Sequence, residues 1–470
     1  MNHRSQTSVS QQRRNFLKWG MAGVLGMSLP EWFALQQARG VEGPRRAQAK
    51  NVLVVLEQGG LSHIDTWDPK PDVIADHRSP YRPISTTVPG MQFTELLTRT
   101  SRIAHKLSVV RSMRHVRGGA DDHPNGTHYV LSGSHPVNPL KMPDIGSVAV
   151  QSLGTQCRYL PPYVMVPGNN EQAAVASNGF LPISTRAFKT GGRDVSDPAW
   201  RVGELMARED NQGPRLDRRR ELLQNVDSAV MTSQRFPVAG MDRFYDQAFD
   251  TLNSTLVNQA FDLRTESERV REMYGPGHRG ACYLVGRKLI EAGVRFVTVD
   301  ARWPMTAQTP RGGNLNWDHH DFIYTRESCE LPGASGAGAG RFGIGHWVMM
   351  GSTDQAYAAL IDDLDQRGLL AETLVCFVSE FGRTPRLNRA QGRDHWTNAY
   401  SIVFAGAGVP GGQIIGSSDR DGGYVTNEPH TPEDYADSIY AKLGIDRARP
   451  LYTSANRPVY LHEGEPIAAL

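Results

Sequence analysis

Cysteine is scarce in this 470-residue chain: only Cys157, Cys282, Cys329 and Cys376 occur, too few and too scattered for a disulfide scaffold or a zinc ribbon. Cys376 sits inside an apolar run and Cys282 on an apolar helix face, which predicts buried thiols, with one bridge left open. No long hydrophobic run exists. The apolar stretch Trp19 to Leu29 falls well short of the roughly 20 residues a membrane span needs, so no stable span is expected. Charge of one sign is also lacking, with 51 Lys and Arg against 49 Asp and Glu. Without a basic block, nucleic acid is not expected as a partner. No HExxH or CxxC pair, internal repeat or heptad run is present.

What the N-terminus does contain is Arg13-Arg14-Asn15-Phe16-Leu17-Lys18, then the apolar run, then a polar stretch ending Ala47-Gln48-Ala49. Basic, apolar, small-x-small is the order of a secretory signal, and the paired arginines point to the twin-arginine translocase as an export partner. Residues 1–49 read as signal and spacer, with cleavage expected after Ala49 and alternatives at Ala34 or nearer Gly40. The absence of a lipobox cysteine favours a soluble periplasmic or extracellular product. The remainder, 50–470, reads as one α/β domain with insertions near 189–234 and 304–345, neither apolar enough for a core of its own.

Short apolar runs, Asn51 to Leu56, Tyr163 to Val166, Val294 to Val299, Thr373 to Ser379 and Ser401 to Ala405, predict strands buried on both faces. Tyr357, Leu360, Ile361 and Leu364 follow a candidate capping box, Ser352-x-x-Gln355, and precede the stop Gly368. Cys282, Val285 and Leu289 mark a second amphipathic helix ending at Gly293. Strand, helix, strand in this order predicts a mainly parallel central sheet with helices on both faces.

In such a sheet, functional groups collect on the loops beyond the carboxyl ends of the strands. Three loops there are rich in polar groups: Glu57 to Asp68, Asp300 with Trp317 to Asp321, and Glu380 to Thr384 with Gly392 to Trp396. A fourth is Asp121 to His128. Carboxylates and imidazoles from separate loops suit one divalent ion, zinc, calcium or manganese. Asp318 and His320 with His395 make the best ligand set, Glu380 is a fourth or outer group, and Glu57 and Asp65 are further carboxylates in reach. Alternatively, Glu380, Arg383, Arg393 and Asp394 form a structural ion-pair network.

The blocks Gly59-Gly60-Leu61-Ser62-His63-Ile64-Asp65-Thr66-Trp67-Asp68-Pro69-Lys70-Pro71, Glu291 to Val299, Trp317-Asp318-His319-His320, and Ser379 to Pro385 with Gly392-Arg393-Asp394-His395 resemble the signatures of the family called domain of unknown function 1501. That resemblance implies twin-arginine export and an alkaline phosphatase/sulfatase-like fold. Glu57-Gln58 stands where that superfamily has metal-binding aspartates, and Glu380-Phe381-Gly382 resembles its Asp-His-Gly block with the imidazole lost. Asp318, His320 and His395 resemble its remaining ligands, so one metal site is implied to persist and a second to be degraded. Counting back from Leu131-Ser132-Gly133, the nucleophile position falls on His123.

The expected function is therefore an exported metal-dependent hydrolase acting on a phosphate or sulfate ester, with a small anionic ester or glycan as ligand. His123 or His128 would be the general acid or base, Thr127 or Ser62 the nucleophile, and Arg383 and Arg393 a bidentate anion clamp. The alternative is a non-catalytic envelope protein that binds sulfated or phosphorylated glycans through the same arginines.

Overall fold

A computed structural model describes residues 47–168, 175–192, 194–202, 218, 221, 254–301, 317–321, 323–324, 343–461 and 464–470. The Arg13-Arg14 motif and most of the two expected insertions lie outside the described residues. Ala47–Leu470 clusters as one unit.

Asn51–Leu56, Asn-Val-Leu-Val-Val-Leu, has no exposed residue because it is the centre of an eight-stranded sheet. Phe296–Val299 and Thr373–Val378 flank it in parallel, with Val54 opposite Thr298 on one side and Cys376 on the other. Tyr163–Val166 and Phe188–Lys189 continue the parallel array beyond Phe296–Val299. On the opposite flank, Tyr400–Ala405 runs antiparallel to Thr373–Val378 and to Leu107–Met113. No crossover helix separates Thr373–Val378 from Tyr400–Ala405, and without one the chain returns antiparallel. Gln413–Ile415 closes that edge in parallel with Leu107–Met113.

Alternate side chains of each strand feed two cores. Leu53, Val55, Val297, Val299, Val375 and Phe377 face the helices His278–Glu291 and Ser352–Gln366. Val52, Val54, Phe296, Leu374, Cys376 and Phe404 face Ile145–Leu153 and Pro432–Leu443. Cys282 and Cys376 are buried free thiols, as expected, and Cys157 is free as well. Among the described residues no helix is long and apolar enough to cross a membrane.

Four local expectations change. Leu107–Met113 is a strand that the sequence pattern hides, because Arg111 interrupts its apolar run; the guanidinium is neutralised by Asp68 at 3.3 Å. The Ser352 capping box does not form: a π-turn, Trp347–Gly351, leads into the helix. Ser352 Oγ therefore donates back to Val348 O at 2.8 Å, and Gln355 donates to Glu272 O at 3.0 Å. His278–Glu291 is buried from His278 through Ile290, not amphipathic; its Arg287 pairs with Glu266, Glu291 and Asp363. Finally, His123–Ser132 is a helix where a loop was expected, N-capped by the Asp122 side chain, which accepts from Asn125 N.

Candidate metal centre

Glu57, Asp300 and Ser379-Glu380 all follow the carboxyl ends of parallel strands, so they share one edge of the sheet. The reversed strand Tyr400–Ala405 begins at this edge, which brings the residues before it there too. Among them, His395–Trp396 pairs antiparallel with Gly382–Arg383. The loop 317–321 is tied down by Trp317, whose indole donates to Glu57 Oε2 at 2.7 Å and whose N–H donates to Gln58 O at 3.0 Å. Gly392 passes so near this loop that a Cβ would lie 2.0 Å from the His320 carbonyl carbon; close approach, rather than a bend, is why glycine is required.

These elements bring three imidazoles to one carboxylate oxygen. Asp318 Oδ1 lies 3.1 Å from His123 Nε2, 2.8 Å from His320 Nε2 and 3.0 Å from His395 Nε2. His320 Nε2 and His395 Nε2 are themselves 3.0 Å apart. Arg383 Nη2 approaches the same oxygen at 2.8 Å. One carboxylate oxygen has about two lone pairs to offer, fewer than these nitrogens demand. His123 Nε2 is in consequence buried without a hydrogen bond of acceptable angle.

The outer nitrogens explain the convergence. His123 Nδ1 faces Glu380 Oε1 at 2.7 Å, His320 Nδ1 faces Asp394 Oδ1 at 2.9 Å, and His395 Nδ1 faces the Asp121 carbonyl at 2.5 Å. All three partners are acceptors, so each Nδ1 carries the proton and each Nε2, in the neutral ring, presents a lone pair inward. Glu380 is itself fixed by Gly59 N at 2.7 Å and Ser379 Oγ at 3.1 Å. Phe381 supports the ring pair, 4.5 Å from the His395 centroid and 5.3 Å from that of His123.

This donor set fits a divalent ion. His123, Asp318 and His395 offer ligand atoms within 4.8 Å of one another, and His320 joins through its contacts to Asp318 and His395. Ligand atoms held tetrahedrally by bonds near 2.0–2.1 Å sit about 3.3–3.4 Å apart, so the spacings of 2.8–3.1 Å found here need to open by only a few tenths of an ångström. Protonation is poised by the same contacts. With no ion bound, burial would depress His123, but the Asp318 and Glu380 carboxylates beside it outweigh that and raise it to about 9, so its Nε2 must give up a proton before it can ligate. Burial would raise Asp318, yet the three imidazoles and Arg383 hold it far below the usual carboxylate range.

The other expected site residues lie elsewhere. Glu57 is sealed by Tyr283 Oη and the Trp317 indole, both at 2.7 Å, with Arg279 Nε at 3.4 Å; it anchors the loop rather than facing the cluster. Asp65 is buried against Arg393 at 2.9 Å and accepts from Ser62 Oγ at 2.5 Å, so this carboxylate and this hydroxyl are already committed. The anion clamp is not formed. Arg393 spends its remaining N–H groups on Thr384 O, Pro385 O, His77 O and Tyr324 Oη. Arg383 spends its own on Gly59 O, Gly60 O, Arg393 O, Asp318 and the edge of His320. Both guanidiniums are fully buried in ion pairs, but their partners are Asp318 and Asp65 rather than the expected Glu380 and Asp394, which face His123 and His320.

Thr127 stands one helical turn after His123, on about the same face, and its buried Oγ1 has no partner among the described residues. His128 is rotated about 140° from His123 around that helix, away from the cluster. Burial and then Lys141 lower His128 to about 4. Two contributors escaped the reading of the sequence: Asp394 as the tether of His320, and the Asp121 carbonyl as that of His395. A backbone oxygen leaves no signal in a sequence, whereas Asp394 beside His395 did.

The model of the family described as protein of unknown function (DUF1501) matches residues 49–470. The chain belongs to this family. None of the curated proteins matches it. Among solved structures, this DUF1501 protein is similar to the phosphonate monoester hydrolase SpPMH from Silicibacter pomeroyi, with 10% identity, 89% of this chain and 76% of that chain covered, and a TM-score of 0.38. A Bacteroides thetaiotaomicron protein from a core genetic locus for the metabolism of multiple glycosaminoglycans gives 11% identity, 85% and 74% coverage, and 0.38. The phosphonate monoester hydrolase of Agrobacterium radiobacter gives 11% identity, 89% and 78% coverage, and 0.35.

Proposed function

We propose that this DUF1501 protein is exported by the twin-arginine route and is a metal-dependent hydrolase of phosphate or sulfate esters, including those carried on glycans. The observation that carries the metal is the turning of three imidazole Nε2 atoms onto Asp318 while each Nδ1 is held by an acceptor. Ligating imidazoles are oriented this way by outer-shell oxygens, and a merely structural histidine needs no such arrangement. The ester class rests on the resemblance of the sequence blocks to the alkaline phosphatase and sulfatase superfamily.

His123, His320, His395 and Asp318 hold the ion, and Glu380, Asp394 and the Asp121 carbonyl orient the rings. Zinc suits three imidazoles and one carboxylate better than calcium, which prefers oxygen ligands in larger number. A bound divalent ion supplies a Lewis acid for a phosphoryl or sulfuryl oxygen and lowers the pKa of water. With Ser62 committed to Asp65, Thr127 is the hydroxyl left free to act beside His123. The non-catalytic reading, glycan binding through Arg383 and Arg393, loses its contacts because those N–H groups are consumed inside the protein.

The test is metal content of the purified protein by mass spectrometry, followed by turnover of p-nitrophenyl phosphate, bis-p-nitrophenyl phosphate and p-nitrophenyl sulfate with and without a chelator. Stoichiometric metal with chelator-sensitive turnover is expected. Substoichiometric metal that His395→Ala does not change would sink the proposal.

A further inference from the structure

The residues just before the central strand bear on maturation. Ala49 is only 3% exposed and belongs to the core on the Pro432–Leu443 side of the sheet. Gln48 N and Ala49 N both donate to Lys442 O, at 3.0 and 2.9 Å. That carbonyl lies in the last turn of the helix Pro432–Leu443, where helical partners run out, so the incoming segment caps it. Lys442 Nζ returns a bond to Gln48 Oε1 at 2.7 Å. Lys50 N donates to Glu372 O at 2.8 Å, and Lys50 O accepts from Gln156 Nε2 at 2.6 Å and Arg295 Nη1 at 3.2 Å. One residue later the chain is the central strand of the sheet.

A peptidase that recognises small-x-small must hold the residues before the scissile bond extended, with their side chains and backbone free. In the folded domain Ala47 and Gln48 are exposed, but the Ala49 side chain next to the bond is buried and the backbone N–H groups of Gln48 and Ala49 are both taken, so the segment is not free to enter a peptidase. This inference rests on the export reading, because the twin-arginine route moves cargo that has folded before the signal is cut. The next small-x-small upstream with a polar centre is Ala38-Arg39-Gly40. We propose that the exported precursor is processed between Gly40 and Val41, and that Gln48 and Ala49 remain in the mature protein as part of its fold. The step is hydrolysis of that one peptide bond by water, leaving a carboxylate on Gly40 and an amine on Val41.

Two measurements decide it. In a host with the translocase, intact mass and N-terminal sequencing of the exported protein should give Val41, and Gly40→Phe should abolish that product. A mature chain that begins at Lys50 would overturn the proposal. Independently, the purified full chain is digested under native conditions with elastase, which cuts after small residues, and with trypsin. Protection of Ala49–Lys50 and Lys50–Asn51, relative to urea-unfolded protein, is expected, at least tenfold in rate. Cleavage of either bond at the unfolded rate would refute the shielding. A precursor that stays uncut in the cytoplasm while native digestion still shows protection would refute the export reading and with it processing at Gly40.

Discussion

Glu380 Oε1 accepts the Nδ1–H of His123 at 2.7 Å, and through that bond a carboxylate with no exposed surface turns His123 Nε2 toward Asp318. The position that the superfamily resemblance gives to a nucleophile is thus occupied here by a candidate ligand. His123→Ala and His395→Ala should each lower bound metal to a small fraction of the wild-type stoichiometry. Thr127→Ala should leave the metal unchanged while reducing any ester turnover. Metal content and kcat measured on the same preparations check both.

Asp394 is more than half exposed at its side chain, so its bond to His320 at 2.9 Å contributes little to folding. Its effect should fall on the metal. Asp394→Asn is expected to weaken zinc affinity about 10- to 100-fold, in the range seen when an outer-shell partner is lost, with the melting temperature nearly unchanged. Chelator competition and a thermal melt separate the two.

Arg393 and Asp65 form a fully buried pair at 2.9 Å that ties the loop after the first strand to the segment before His395. Removing one partner strands the other charge, so Arg393→Ala should cost about 3 to 5 kcal/mol. Because no N–H of Arg393 is free, the stabilisation that added phosphate or sulfate gives should be the same in variant and wild type. Urea denaturation with and without the anions provides the comparison.

Asp144 precedes the helix Ile145–Leu153 and is 1% exposed; burial, only partly offset by the Ser177 N–H and then Lys141, raises its carboxyl to about 8. A folded pKa above the unfolded value means that the folded state holds the proton longer. The stability tied to Asp144 is therefore complete below the ordinary aspartate range, about pH 4, and is lost as pH rises through about 8. Asp144→Asn should remove this slope, so the variant gains on wild type between pH 5 and 9 by as much as about 4 kcal/mol. Paired urea titrations across that range read the difference.

The sheet was legible because strands buried on both faces must be almost wholly apolar, and Asn51–Leu56, Tyr163–Val166 and Thr373–Val378 are. Leu107–Met113 was not, since its Arg111 finds a partner, Asp68, only in the tertiary fold. The same division holds at the site. Asp318, His320, His395 and Glu380 stood out as polar residues at strand ends, which is a property of sequence order.

Which of them face one another is not such a property. An arginine in a loop reads alike whether its N–H groups meet a ligand or five internal acceptors, as those of Arg393 do. His123 looked like a loop acid or base until the helix His123–Ser132 and the reversed strand Tyr400–Ala405 set it 4.5 Å, centroid to centroid, from His395. By itself the sequence determined the apolar strands, the edge at which chemistry collects and the residue types available there, because burial and chain order are local and periodic. Tertiary structure alone decided which nitrogens converge on Asp318 and which arginines are spent, because hydrogen bonds between residues as far apart as Glu380 and His123 exist only once the sheet has brought them together.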